Sequence, residues 1–269
     1  HMLLHRAEKE PSLLKKIYYW QEGMRLQRYE SRACARMDAN ITCSVLDSDR
    51  LRELIGGRSR VTEIPNGVDI NYFTPTGQAV VPRSMVFVGS QNWYPNRDAM
   101  LYFAEVLWPL IRQRYPDACM DVVGAEPPKA LRDLAARDPQ FRVHGFVNDV
   151  RPYISSAAVY VCPIRDGGGT RLKILDALAM GKAVLAHPIA YEGLDVTDNL
   201  NILTATEPEE YLAHLDRLFN DEVHRQTIGR AGRELIEREY SYASIGRRLA
   251  NLYGEIVDAR SRPAPGNRE

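Results

Sequence analysis

Residues 159–176 read VYVCPIRDGGGTRLKILD, and the reading of this stretch decides the fold. Val159 to Cys162 form a short apolar run suited to a buried strand, three glycines interrupt it, and an amphipathic helical pattern runs from Arg171 to Met180. Working outward, the same alternation recurs on both sides. The spacing predicts strands at Ser84-Val88, Cys119-Val123, Phe141-His144, Val159-Cys162, Ala183-Ala186 and Asn201-Leu203. Helices are predicted between most of them, at Arg97-Arg114, Pro128-Arg137, Arg171-Met180 and Pro208-Asn220. Parallel neighbours need long crossovers, so strands trading places with helices imply an α/β fold, a doubly wound parallel sheet with flanking helices.

The regular part is flanked by different material. Leu13, Ile17, Trp20 and Met24 recur at three- to four-residue spacing, predicting a long helix from Pro11 to Met37. A strand at Ala39-Ser44, a helix from Asp47 to Ile55 capped by Asp47 or Ser48, and a strand at Arg60-Ile64 follow. These are too few to close a sheet of their own. At the other end, helices are expected at Glu222-Tyr240 and Ser241-Asp258, the second carrying an apolar stripe of Ile245, Leu249, Leu252, Tyr253 and Ile256 that must bury against something. Pro263, Pro265 and Gly266 mark a disordered tail.

Net charge is zero, with 35 basic and 35 acidic residues, so the chain lacks the electrostatic footprint of a nucleic-acid binder. Any anion site must be local. Lys15, Lys16, Arg25, Arg28, Arg32 and Arg36 share the first helical stretch, read either as a solvated face or as a patch toward an anionic membrane surface. The four cysteines lack C-x-x-C spacing and read as reduced. No apolar run is long enough to span a bilayer and no signal-peptide core is visible, which favours a cytoplasmic location.

In a doubly wound sheet, ligands bind beyond the carboxyl ends of the strands. The junction Gly167-Gly168-Gly169-Thr170-Arg171-Leu172-Lys173 lets backbone approach a ligand, offers helix-start amides to an anion, and adds Arg171 and Lys173 as cations suited to phosphate. Asp176, further into that helix, would be repelled by phosphate and suits ribose hydroxyls instead. A second junction, Gly89-Ser90-Gln91-Asn92-Trp93-Tyr94-Pro95-Asn96-Arg97, offers Gly89 for close approach, Ser90, and Arg97 as a phosphate contact or a surface arginine, with Asn96 or Asp98 as helix cap. At a third, Phe146 and Val147 would hold a flat base, or Phe146 is plain core. The G-x-G-x-x-G and G-x-x-x-x-G-K-[ST] fingerprints are absent, which argues against dehydrogenases and NTPases, and the usual zinc-hydrolase and serine-hydrolase markers are missing too.

These residues carry a resemblance. Ile64-Pro65-Asn66-Gly67-Val68-Asp69 with Tyr72-Phe73-Thr74-Pro75, Gly145-Phe146-Val147 with Asp149-Val150-Arg151-Pro152-Tyr153, and the run from Gly167 to Val184 resemble, in the family's order, retaining GT-B glycosyltransferases of the group 1, family 4-like type. Members that build bacterial surface polysaccharides are the most similar. The resemblance implies a Rossmann-like donor domain over residues 76–240, preceded at 1–75 by the end of an acceptor domain and its linker. A crossover helix at 241–258 and a tail at 259–269 complete it.

By the same resemblance, a nucleotide diphosphate sugar is the co-substrate, a glycan or lipid-linked molecule the acceptor, and no cofactor or obligatory metal takes part. The donor-binding residues it implies are Gly89, Ser90, Arg97, Phe146, Val147, Gly168, Gly169, Thr170, Arg171, Lys173 and Asp176. The family usually has two glutamates eight positions apart here; this chain has Gly168 and Asp176 instead, leaving backbone amides to replace the first side chain. Catalytic groups of the acceptor domain would be missing, so donor binding without turnover is expected, with dimerisation or membrane association as ways to cover exposed helices. The rival readings are a noncatalytic sugar-nucleotide-binding domain and a GT-B-shaped epimerase.

Overall fold

The computed structural model describes residues 10–167 and 172–261 together with Leu4, Ala7 and Glu8. The chain divides into two compact units, Asn66–Arg247 and a second made of His1–Pro65 with Arg248–Glu269.

The Asn66–Arg247 unit is a six-stranded sheet of β3 (Ser84–Val88), β4 (Cys119–Val123), β5 (Phe141–Gly145), β6 (Val159–Cys162), β7 (Ala183–Ala186) and β8 (Leu203–Thr204). All neighbours pair in parallel in the order β5-β4-β3-β6-β7-β8. The order doubles back at β3 and β6, the reversal that opens a crevice at the carboxyl ends. Burial explains the apolar runs: β4, β6 and β7 are buried at every residue, as parallel strands covered on both faces must be. Met85, Phe87, Met120, Phe141, Tyr160 and Leu185 lie in one core with Leu131, Ile174 and Leu178 of the flanking helices.

The helix expected from Arg97 starts earlier, at Tyr94, and continues to Arg114 through a π-helical turn at Phe103–Leu107. Its cap also differs. Trp93 is the cap position with no side-chain bond, because Asn96 turns its amide to other partners. The helix Leu172–Ala179, Pro208–Asn220 with a capping box of Glu207 and Glu210, and Glu222–Leu235 capped by Asp221 cover the sheet as the periodicity implies. A short helix, Arg151–Ser156, and a 3₁₀ turn, Pro188–Tyr191, are too brief to leave a periodic signal. The last strand is β8, shifted from the expected Asn201-Leu203, since Asn201 instead accepts from Thr197 N across a turn.

The other unit holds the helix Leu13–Cys34 and a parallel pair, β1 (Ala39–Thr42) and β2 (Arg60–Glu63), joined by the helix Val45–Ile55. Ser44, rather than Asp47 or Ser48, caps that crossover helix, its hydroxyl accepting from Asp47 N at 3.2 Å. Along the periodic face of the first helix, Leu13 is 70%, Ile17 46% and Trp20 55% exposed. The final helix runs from Tyr242 to Ser261, with Leu252 buried and Tyr253 exposed along its stripe. Positions 262–269 of the expected tail lie outside the described residues.

Candidate functional site

The carboxyl ends of β3, β4 and β5 each run into a glycine, and the three interlock. Gly89 N donates to Val123 O at 2.8 Å, and Gly124 N donates to Gly145 O at 2.8 Å. Gly124 has φ of +155°, and a Cβ there would stand 2.0 Å from Gly89 O, so only glycine fits. The strand ends therefore form a close-packed floor without side chains.

Onto this floor the helix Leu172–Ala179 brings Lys173. Its ammonium lies 2.5 Å from Asn96 Oδ1 and 4.5 Å from the centre of the Phe87 ring. It occupies the space that a side chain at Gly89 would fill, since a Cβ there would stand 2.4 Å from Lys173 Nζ. Asp176, one turn further along, sits in a buried setting that pushes its carboxyl up to about 7, against the opposing pull of Lys173. Tyr160, fully buried on β6, donates its hydroxyl to Val88 O at 3.4 Å, and burial drives its own pKa well above the ordinary phenol value. A cation and a carboxyl whose burial raises its pKa thus lie one turn apart on the same helix. Such a pair can hold a phosphate oxygen and a sugar hydroxyl side by side.

The remaining expected residues divide into groups. Ser90 donates its hydroxyl to Asn92 Oδ1 at 2.9 Å, Gln91 is fully buried, and Asn92 Nδ2 donates to Glu126 Oε1 at 3.4 Å. Arg97 is exposed and lies 6.0 Å from the Tyr94 ring. Phe146 is not core but 76% exposed, whereas Val147 packs partly against the core. Gly168, Gly169, Thr170 and Arg171 lie outside the described residues.

Asp121 on β4 fixes two residues of β5. It accepts from Arg142 Nε at 2.8 Å and Nη2 at 2.6 Å, and stands 2.6 Å from His144 Nε2, whose ring rests 4.6 Å from that of Tyr153. This network ties β4 to β5 just ahead of Gly145.

The sequence reading did not single out His187 or Arg165, which the fold brings near each other. His187 follows β7 directly, accepts from Ile189 N through Nδ1 at 3.2 Å, and has its pKa lowered by burial and by Arg165. Arg165 lies 3.7 Å from the Tyr102 ring and pairs with Asp98 at 3.4 Å. The available signal was position alone, a titratable residue at the carboxyl end of a strand. Among the described residues, no three or more His, Cys, Asp or Glu residues gather as a metal cluster, and no helix is long and apolar enough to cross a membrane.

A family model described as "Glycosyl transferases group 1" matches residues 82–221. The chain is similar to the phosphatidyl-myo-inositol mannosyltransferase of Mycobacterium tuberculosis, with 26% identity over 212 residues that cover 74% of this chain and 55% of that protein. It is also similar to a GDP-mannose-dependent monoacylated alpha-(1-6)-phosphatidylinositol monomannoside mannosyltransferase of Corynebacterium glutamicum, at 24% identity over 226 residues, 76% of this chain and 58% of that one. The chain thus spans about half the length of these curated relatives. The crystal structure of Anabaena Alr3699/HepE in complex with UDP shares the fold, with a TM-score of 0.69 and 15% identity over 85% of this chain and 67% of that one.

Proposed function

The chain belongs to the glycosyl transferases group 1 family, with the Rossmann-like α/β fold of GT-B enzymes, and on that premise we propose that its Asn66–Arg247 unit binds a nucleotide diphosphate sugar for retaining transfer. The observation that carries this reading is the placement of Lys173 over the glycine floor at the end of β3, with the buried Asp176 one turn further along the same helix. Lys173, with Arg171, receives the diphosphate and stabilises the charge that grows on it as the glycosidic bond breaks. Asp176 accepts from ribose hydroxyls. Gly89, Ser90 and the Gly168–Thr170 amides line the phosphate path, Arg97 adds a peripheral cation, and Phe146 and Val147 hold the base.

A carboxyl held near 7 by burial is stabilised in its ionised form when hydroxyls donate to it, so ribose binding lowers its pKa and releases a proton. The acceptor in this reading is a glycan or a lipid-linked molecule of a surface polysaccharide or glycolipid, reached from the cytoplasmic side by peripheral association with the membrane. The names of the two actinobacterial relatives, both acting on phosphatidylinositol lipids, support a lipid-linked acceptor. Transfer also needs groups that orient the acceptor, and effective-molarity arguments place ~7–11 kcal/mol of barrier reduction on such positioning. In this reading no obligatory metal takes part.

Calorimetry with GDP, UDP and inorganic pyrophosphate tests the assignment. Asp176→Ala should weaken the bound nucleotide by roughly tenfold while pyrophosphate is little affected, a charge-assisted contact being worth ~1.5–3 kcal/mol. Equal losses for nucleotide and pyrophosphate would remove Asp176 from the ribose.

A further inference from the structure

The side chain that faces Lys173 has no place in the reading above. Asn96 is 6% exposed, sits in the first turn of the helix Tyr94–Tyr102, and makes two bonds whose chemistry fixes its orientation. Its Nδ2 donates to Ser90 O at 2.7 Å; a carbonyl only accepts, so the amide nitrogen must point there. That leaves Oδ1 facing Lys173 Nζ at 2.5 Å, and an ammonium only donates. The loop carbonyl thus sets the amide, and the amide sets the cation.

We infer that Asn96 is a positioning residue, holding the Lys173 ammonium over Gly89 where it meets the diphosphate of the donor nucleotide. The inference rests on the proposed donor site. A lysine carries four rotatable carbons and a compact, strongly hydrated charge, so an unheld ammonium samples many positions and must be ordered when ligand arrives. Here that ordering is done in advance, by the Asn96 oxygen on one side and the Phe87 ring 4.5 Å away on another. Gly89 is the complement of this arrangement. A Cβ at that position would stand 2.4 Å from Nζ and 2.7 Å from Asn96 Nδ2, displacing both. Glycine at the strand end therefore makes room for a protein cation as well as for a ligand.

A purely structural role, tying the Gly89-Ser90 loop to its helix, would produce the same hydrogen bonds, and a double-mutant cycle separates the two. GDP and UDP are titrated into the native chain, Asn96→Ala, Lys173→Ala and the double variant, with guanosine and uridine as phosphate-free controls. Positioning predicts that Asn96→Ala weakens the preferred diphosphate roughly tenfold in the native background and less than about twofold when Lys173 is already absent, with the nucleosides unchanged. Where Asn96→Ala does not fold, Asn96→Ser, too short to reach Nζ, is expected to behave identically. The same loss in both backgrounds, or none in the native one, overturns the role of Asn96 while leaving the donor site standing. If Lys173→Ala itself leaves diphosphate affinity unchanged, Lys173 is not at the anion and the donor-site assignment falls with the inference.

Discussion

The two units solve the same problem, a parallel strand pair with a helical crossover, to different degrees. In the Asn66–Arg247 unit the pair β3 and β4 is embedded among six strands, and the residues between its faces, Phe87 and Met120 among them, have no exposure at all. In the other unit β1 and β2 stand as a pair, and Ile41 on β1 is 44% exposed. A pair alone buries little, and three or more strands are usually needed before a sheet is stable by itself. The contrast shows where a side chain can be functional: the six-stranded unit supplies the burial that raises the Asp176 carboxyl to about 7.

The contrast can be broken most forcefully at the glycine floor. Gly124→Ala combines a φ of +155° with a Cβ 2.0 Å from Gly89 O, so it should cost about 3 kcal/mol or more, read as a lowered denaturation midpoint. A loss below about 1 kcal/mol would mean that the strand ends are not close-packed.

A smaller effect concerns Asp176. Its folded-state pKa is raised to about 7 from a usual 3.8, so between those values the unfolded chain ionises while the folded chain keeps the proton. This group's contribution therefore favours folding fully at low pH, is lost as pH rises toward 7, and is level above it. Asp176→Asn should remove that decline and stabilise the chain near neutrality by about 2–4 kcal/mol, visible as a flatter dependence of melting temperature on pH. An unchanged pH dependence would place the carboxyl in water. The smallest effect belongs to the other unit: Trp20→Ser, at a residue already 55% exposed, should alter stability by no more than about 0.5 kcal/mol. A loss of several kcal/mol in the same denaturation series would show that the first helix has a buried partner face after all.

Legibility in the sequence follows the same division. Strands β3, β4, β6 and β7 were readable residue for residue, because burial on both faces leaves an unbroken apolar run whose ends are set by Pro, Gly or charge. The helix bearing Lys173 and Asp176 was readable too, expected at Arg171-Met180 and found at Leu172–Ala179. Asn96 was read, alongside Asp98, as a candidate helix cap because local pattern cannot reveal that a lysine 77 positions later competes for its amide. His187 escaped for a similar reason: its environment comes from Arg165 and Glu207, which only the fold brings near. The first helix was readable as a helix from its periodicity, and periodicity says which residues share a face, not whether anything covers that face.

The central claim is that the ends of β3 and β6 form a nucleoside diphosphate site, and nuclear magnetic resonance of the ¹⁵N-labelled chain during titration with GDP and with UDP tests it most directly. The account predicts saturable shifts, with one nucleotide preferred, centred on the amides of Gly89, Asn96, Lys173 and Asp176 and on the Gly168–Arg171 turn. Saturable shifts centred on another part of the sheet, or none with either nucleotide, would contradict it.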